Sequence, residues 1–235
     1  MQIGLDLIRQ ALPGILAHLP VTLLYFIVPT ALTAVFGPLL CMARLSRWAV
    51  LRGAVMVVVS FLRGTPALVQ IYLVLYGLPL IFGAVGVDIN DWSAGVFFIA
   101  ASTFNFSAFV SESLRGAYLA MDRGQIEAGL SIGYGRWQNA VHVIIPQTLR
   151  TACLNLKNLE IDLLKGTSLA YTIGAIEMMG YTDQIIGLNS GVGQLWLLGA
   201  VSVIYFVLCA LLEVFFNRLF AFLGRHEKQE ALRES

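Results

Sequence analysis

The sequence predicts an all-α fold: a polytopic membrane protein with five transmembrane helices. Three observations lead there. Of 235 residues, 58% are hydrophobic and only 12% charged, with a mean hydropathy of +0.78; a soluble domain of this length needs far more polar surface. Four stretches (19–43, 66–87, 92–111 and 184–212) carry no charge at all, and a bilayer core takes roughly 20 apolar residues in a helix. Arginine and lysine are distributed one-sidedly between the segments that join these stretches. The whole chain, 1–235, reads as one transmembrane domain. Its spans are expected at about 19–43, 66–83, 92–114, 150–182 and 193–217, with a polar loop at 118–146.

The opening "MQIGLDLIRQAL" contains Asp6 and lacks a basic start, so no cleaved signal peptide is expected. The first span follows. Residues 48–62 read as an interfacial or tilted helix, ended by Gly64 and Pro66 in "SFLRGTPALVQ". Thr65 can cap the next helix, and Pro66 suits its first turn, where a missing N–H is no loss. Arg63 at this break either snorkels to the interface or contacts the transported species. The second and third spans are uncharged. The fourth is less regular: its uncharged part, "GTSLAYTIGAI", is short and is flanked by Lys157, Glu160, Asp162, Lys165 and Glu177. The last span is again clean.

Five spans place the two ends on opposite sides. With the N-terminus outside, the outer segments 1–18, 83–91 and 181–193 hold Arg9 as their basic residue and carry Asp88, Asp91 and Asp183. The inner segments hold Arg44, Arg47, Arg52, Arg115, Arg123, Arg136, Arg150, Arg218, Arg225, Lys228 and Arg233. The positive-inside rule therefore puts the N-terminus outside, and the C-terminus and the 118–146 loop in the cytoplasm.

That loop contains "DRGQIEAGLSIGYGRWQNAVHVIIPQTLR". Asp122 and Gln125 have capping-box spacing, so a helix starts at Arg123 and runs to about Ser131. Gly133 and Gly135 force a turn. Trp137, Ala140, Val141 and Ile144 then recur at helical spacing, and Pro146 opens the following helix. Two short helices joined by a sharp turn fit either a docking element for a cytosolic partner or an amphipathic hairpin resting on the membrane.

Several function classes drop out. A net charge of +1 and the lack of a basic tract give nucleic acid no footing. Cys41, Cys153 and Cys209 are scattered without a CxxC pair, which suggests neither disulfides nor a metal site. His18, His142 and His226 are isolated, unlike the cluster a membrane enzyme needs. A secondary transporter or channel would show an internal inverted repeat, and none is visible. No G-x-x-x-x-G-K-[ST] phosphate loop occurs, so this chain is not expected to hydrolyse ATP or to bind a cofactor itself.

"EAGLSIGYGRWQNAVHVIIP" resembles the EAA motif in permease subunits of ATP-binding-cassette importers: E-A-A, three residues, G, nine residues, I-x-L-P. Glu127, Ala128, Gly133, Val143, Ile145 and Pro146 fall at those spacings, and Gly129 stands where the motif has its second alanine. "FLRGTPALVQIYLVLYGLP", "ESLRGAY" and "LKGTSLAYTIGAIEMMG" are similar to segments of the polar amino acid branch, with Gly166 replacing an aspartate. The similarity spans about residues 10–220. It implies the type I importer fold, a homo- or heterodimer of permeases in the plasma (inner) membrane of a prokaryote, and two cytosolic ATPase subunits that use ATP and Mg. It also implies an extracytoplasmic amino-acid-binding protein. It tips the hairpin reading toward ATPase coupling through Asp122, Gln125, Glu127, Ala128, Gly133, Trp137 and Pro146. The substrate would be a polar amino acid; "KGTSLAYTI" faintly resembles cystine-type members.

Five spans are few to enclose a path, which favours a dimer with the path on its two-fold axis. Intramembrane ionisable residues are candidates to line it. Glu112 is expected to pair with Arg115 on one helix face. Lys157–Glu160 and Asp162–Lys165 are each i, i+3, and could neutralise locally. Glu160, Asp162 and Glu177 are the acids available to a substrate ammonium, and Gln70, Asn105, Thr167 and Ser168 could bond the rest. Related permeases commonly carry an acid at the position of Leu159.

Overall fold

The computed structural model describes residues 2–223; Arg225, His226, Lys228 and Arg233, used above, lie outside the described residues. Ten α-helices follow one another: α1 (Gln2–Ala17), α2 (Leu19–Arg44), α3 (Ala49–Gly64), α4 (Ala67–Ala84), α5 (Ala94–Leu119), α6 (Arg123–Ser131), α7 (Arg136–Asn139), α8 (Ile145–Gly166), α9 (Met178–Leu188) and α10 (Gln194–Leu223). A π-helical turn, Ala140–Ile144, joins α7 to α8, and a 3-10 segment, Thr167–Ile173, follows α8. Among the described residues α2, α4, α5 and α10 are long and apolar enough to cross a membrane.

The centre of the bundle is α5. It packs along α2 and also meets α3, α4 and α8. Lipid offers apolar side chains nothing they lack between helices, so close packing through small residues has to hold such a bundle. The sequence of α5 supplies them: Gly95, Ala101, Ser102, Ser107, Ala108, Ser111 and Ala117 are all buried. Gly37 on α2 answers them, because a Cβ there would stand 2.5 Å from Val110 Cγ1. Buried Cys41, Val110, Leu114, Ala117 and Ala152 close the α2–α5–α8 junction. A second cluster, Ala11, Ile15, Met178, Leu197 and Val201, joins α1, α9 and α10. The outward faces stay apolar: Ile27, Val35, Phe206 and Leu211 are exposed, as lipid-facing or subunit-facing helices require.

The opening segment, to which the sequence reading assigned no element, forms the helix α1 despite Asp6, Arg9 and an internal Pro13. The expected span 150–182 is corrected here: it is not one helix. After α8 the chain tightens into the 3-10 segment, turns at Gly174 (φ 83°) and restarts as α9. Glu177 causes the restart: its side chain accepts from the backbone N–H of Met179 and Gly180, both at 2.9 Å, satisfying donors that the first turn of α9 cannot.

The break between α3 and α4 lies at Thr65–Pro66 as expected, but Thr65 does not cap α4. Its hydroxyl donates back to Phe61 O at 2.9 Å. Gln70 fastens the break, donating to Leu62 O at 2.7 Å and to the Thr65 hydroxyl at 2.7 Å. Asn105 Nδ2 then donates to Gln70 Oε1 at 3.0 Å, tying the break to α5.

Candidate functional site

The hairpin 122–146 is the most polar part of the fold. Asp122 precedes α6 in extended conformation, and its Oδ1 accepts from the Gly124 N–H at 2.9 Å. The expected capping box is not formed: Gln125 does not reach back, and its Oε1 instead accepts from Gln147 Nε2 at 3.4 Å. The reciprocal contact occurs one helix later, where Gln138 Oε1 accepts from the Gly135 N–H at 2.9 Å and starts α7. Between the helices Gly133 has φ 92°. A side chain there would cost roughly 1 kcal/mol or more.

The two arms present an exposed apolar row: Leu130 is 48% exposed, Ile132 73% and Trp137 77%. Trp137 thus offers a wide apolar surface, and tryptophan is among the residue types that contribute most where an interface covers them. Glu127 is exposed and lines a cleft of about 220 Å³ with Tyr118, Leu119, Met121, Arg123 and Ile126. Ala128 is exposed beside it. Pro146 sits in the first turn of α8. The expected second short helix has no end of its own: α7, the π turn and α8 form one unbroken helical rod.

The polar residues of the spans divide into holders and exposed groups. Glu112 gathers three guanidiniums rather than one. It accepts from Arg44, from Arg115 Nη2 at 2.5 Å, and faces Arg63 Nη1 at 3.5 Å. Arg63 also lies over the Phe109 ring, 5.8 Å from its centroid. Its cation is thus tied to α5. One carboxylate joins the ends of α2, α3 and α5 beside a cavity of about 450 Å³ whose lining includes Arg63, Asn155 and Asn158.

Glu177 is wholly buried. Besides capping α9 it accepts from the Tyr205 hydroxyl at 2.9 Å and the Thr22 hydroxyl at 3.3 Å. Counted among the acids available to a substrate on sequence grounds, it is instead enclosed among α2, α9 and α10. Thr167 is buried too, bonding Leu164 O at 2.8 Å and lying 3.2 Å from the Tyr205 hydroxyl. Gln70 and Asn105 have their amides committed to the α3–α4 break, though Asn105 also touches a cavity described below.

Of the two i, i+3 pairs that could neutralise locally, Lys157–Glu160 does not form. Lys157 reaches across to Glu213 at 3.2 Å and Asn217 at 3.3 Å, pinning α8 to α10. Glu160 accepts from the Thr30 hydroxyl at 2.7 Å. Asp162 and Lys165 do pair, at 2.7 Å, and both side chains stay more than half exposed. Ser168 bonds back to Lys165 O at 2.7 Å. Asp162 opens onto a cavity of about 200 Å³ with Ile71, Phe98, Ser102, Asn105 and Leu169. On the loop between α4 and α5, Asp88 accepts from the backbone and side-chain amides of Asn90, which hold its carboxyl below its usual pKa. Among the described residues no cluster of metal-ligating side chains occurs.

Sequence reasoning missed Asn139. It is 2% exposed and links the hairpin arms through Nδ2, which donates to Ile126 O at 2.9 Å. Its spacing from Gly129 carries no periodic signal, so only the tertiary structure reveals it.

Comparison with known proteins places this arrangement. Residues 40–226 match the family described as the binding-protein-dependent transport system inner membrane component. The L-cystine transport system permease protein TcyL of Bacillus subtilis is 32% identical over 215 residues, covering 91% of this chain and 88% of that one. The glutamine transport system permease protein GlnP of Escherichia coli is 31% identical over 219 residues, covering 93% and 97%. The crystal structure of an amino acid ABC transporter with histidines superposes with a TM-score of 0.75 at 25% identity, covering 93% and 96%. The inward-facing MetNI methionine ABC transporter gives a TM-score of 0.63 at 19% identity, which speaks for the fold alone. The fold is thus that of a type I importer permease, and the chain belongs to the binding-protein-dependent transport system inner membrane component family, among its amino-acid ABC permeases.

Proposed function

We propose that this chain is the membrane-spanning subunit of an ATP-driven importer that moves a polar amino acid into the cytoplasm by alternating access. It works as a dimer in the inner membrane of a prokaryote, with two ATPase subunits docked on the 122–146 hairpins and an amino-acid-binding protein on the opposite face. The observation that carries this reading is the hairpin itself. It is a sharply turned pair of helices at the motif spacing, with Trp137 bare and its second arm fused to α8. An amphipathic hairpin lying on lipid would not need a rigid link to a span. When ATP draws the two ATPases together, the docked hairpin moves, α8 moves with it, and the path reopens outward; hydrolysis resets the inward-facing state. ATP and Mg act on the ATPase subunits.

For the path, Asp162 is the acid best suited to receive a substrate ammonium. Glu177 and Glu160 are already engaged by fold-holding donors, whereas the exposed Asp162–Lys165 pair contributes about 1 kcal/mol or less to stability and is free to exchange partners. Such a pair offers an amino acid zwitterion one charge for each of its ends. The likeness to TcyL and to GlnP makes cystine and glutamine the first compounds to try.

The coupling role is tested with Gly133→Val and Glu127→Lys. Both should leave the dimer inserted, while uptake in reconstituted vesicles falls at least tenfold and the ATPase either dissociates or loses its stimulation by the binding protein. Normal uptake and normal copurified ATPase in both variants would remove the hairpin from the mechanism.

A further inference from the structure

Along the hairpin 122–146 the buried positions are Gly129 and Asn139, and Asn139 is only 2% exposed. Its amide nitrogen crosses thirteen residues to the carbonyl of Ile126 on the other arm, at 2.9 Å. Its Oδ1 is buried and accepts no hydrogen bond among the described residues. That bare acceptor costs stability, so polarity alone does not account for an asparagine here. Its place is explained by Gly129. A Cβ on Gly129 would stand 2.3 Å from Asn139 Oδ1, 3.0 Å from its Cγ and 3.3 Å from Val143 Cγ2. The amide therefore occupies the space that the alanine of the motif would fill. Turning the amide aside would not relieve the clash cheaply, because it would break the bond to Ile126 O and strand a buried donor as well as the acceptor.

We propose that Asn139 is a positioning residue: it braces α6 against α7 so that the whole hairpin moves as one piece with α8, in a space that only glycine at position 129 leaves open. The inference rests on the coupling role proposed above. Its mechanical sense follows from the rod formed by α7, the π turn and α8. Force delivered to the second arm passes directly into α8. Force delivered to α6 has to cross the 132–135 turn, where Gly133 N donates to Leu130 O and Tyr134 N to Gly129 O. The side-chain link from Gln147 to Gln125 is longer, at 3.4 Å. Asn139 supplies the short link next to the docking residues.

The test is a double-mutant cycle in the reconstituted complex of permease, ATPase and binding protein. The variants are Gly129→Ala, Asn139→Ala and the pair together, with Gly133→Val as a reference. The readouts are assembly by size exclusion, uptake of radiolabelled L-cystine or L-glutamine, whichever the binding protein retains, and ATP hydrolysed per molecule imported. Asn139→Ala should keep the complex assembled while the ATP consumed per molecule imported rises about threefold or more. Gly129→Ala should lose about tenfold in uptake or fail to assemble, from the clash and the stranded amide. The double variant, with alanine packing where the amide was, should recover to within about twofold of the unmodified protein, a coupling of opposite sign to simple addition. A double variant no better than Gly129→Ala, in uptake or in assembly, overturns the brace. So does normal coupling in Asn139→Ala, or normal uptake in Gly129→Ala. If these negative results come with a Gly133→Val that still uncouples, the brace alone falls; if Gly133→Val is also normal, the coupling role falls.

Discussion

Glu177 and Asp162 are both acids beside the fourth span, and their surroundings give them opposite tasks. Glu177 is surrounded by donors: two backbone N–H groups and two hydroxyls, with no water-facing surface. Glu177→Gln replaces one accepting oxygen by a donor among donors, so it should lower the stability of the purified permease by about 1–3 kcal/mol, read as an earlier unfolding midpoint in detergent. An unchanged midpoint would show that the network does not hold α9. Asp162→Asn should leave that midpoint within about 0.5 kcal/mol, because an exposed i, i+3 pair contributes little, while uptake falls at least tenfold. Retained uptake would take Asp162 off the path. The sequence lists these acids without ranking them. What separates them is whether a chain distant in sequence, here Thr22 or Tyr205, supplies donors, and neither periodicity nor spacing encodes that.

At the scale of elements, hydropathy located α2, α4, α5 and α10 because each carries a long uncharged run and a bilayer demands about 20 apolar residues. It did not locate α1, whose "QIGLDLIRQALPGILA" mixes Asp6, Arg9 and Pro13 into an amphipathic stretch that becomes helical by packing on α9 and α10. It also ran α8 and α9 together, because the 3-10 segment between them, "TSLAYTI", carries no charge to mark an interruption. The interruption depends on Gly174 and on the cap that Glu177 provides. The α3–α4 break was legible through Gly64 and Pro66, but its fastening by Gln70 was not. Gln70→Leu would remove two short hydrogen bonds and leave the Leu62 carbonyl and the Asn105 amide with their 3.4 Å contact to each other, and should therefore destabilise the permease by about 1–3 kcal/mol without altering ATPase docking. Loss of docking with unchanged stability would contradict that division. In the hairpin the turn at Gly133 was legible from the motif. The brace at Asn139 was not, since it depends on two arms meeting.

For the whole molecule, counting the expected spans along the sequence assigns the hairpin and the basic residues other than Arg9 to one face and the Asp88–Asp91 loop to the other. The orientation we propose puts the hairpin in the cytoplasm. In a background lacking Cys41, Cys153 and Cys209, cysteine at Asn90 should react with a membrane-impermeant maleimide in intact cells, and cysteine at Gln138 only after permeabilisation. Labelling of both from the same side would refute the topology, and the opposite pattern would reverse it. The central claim is that ATP on the hairpin side, through a separate ATPase, drives amino acid inward from a receptor on the other side. The most direct measurement is uptake of radiolabelled L-cystine and L-glutamine by vesicles holding the permease and its ATPase, with the binding protein outside and ATP with Mg inside. Uptake against a gradient that requires all of these components, and that ceases when ATP is withheld, is the predicted result. Accumulation driven by a proton or sodium gradient with no ATP and no binding protein would contradict it.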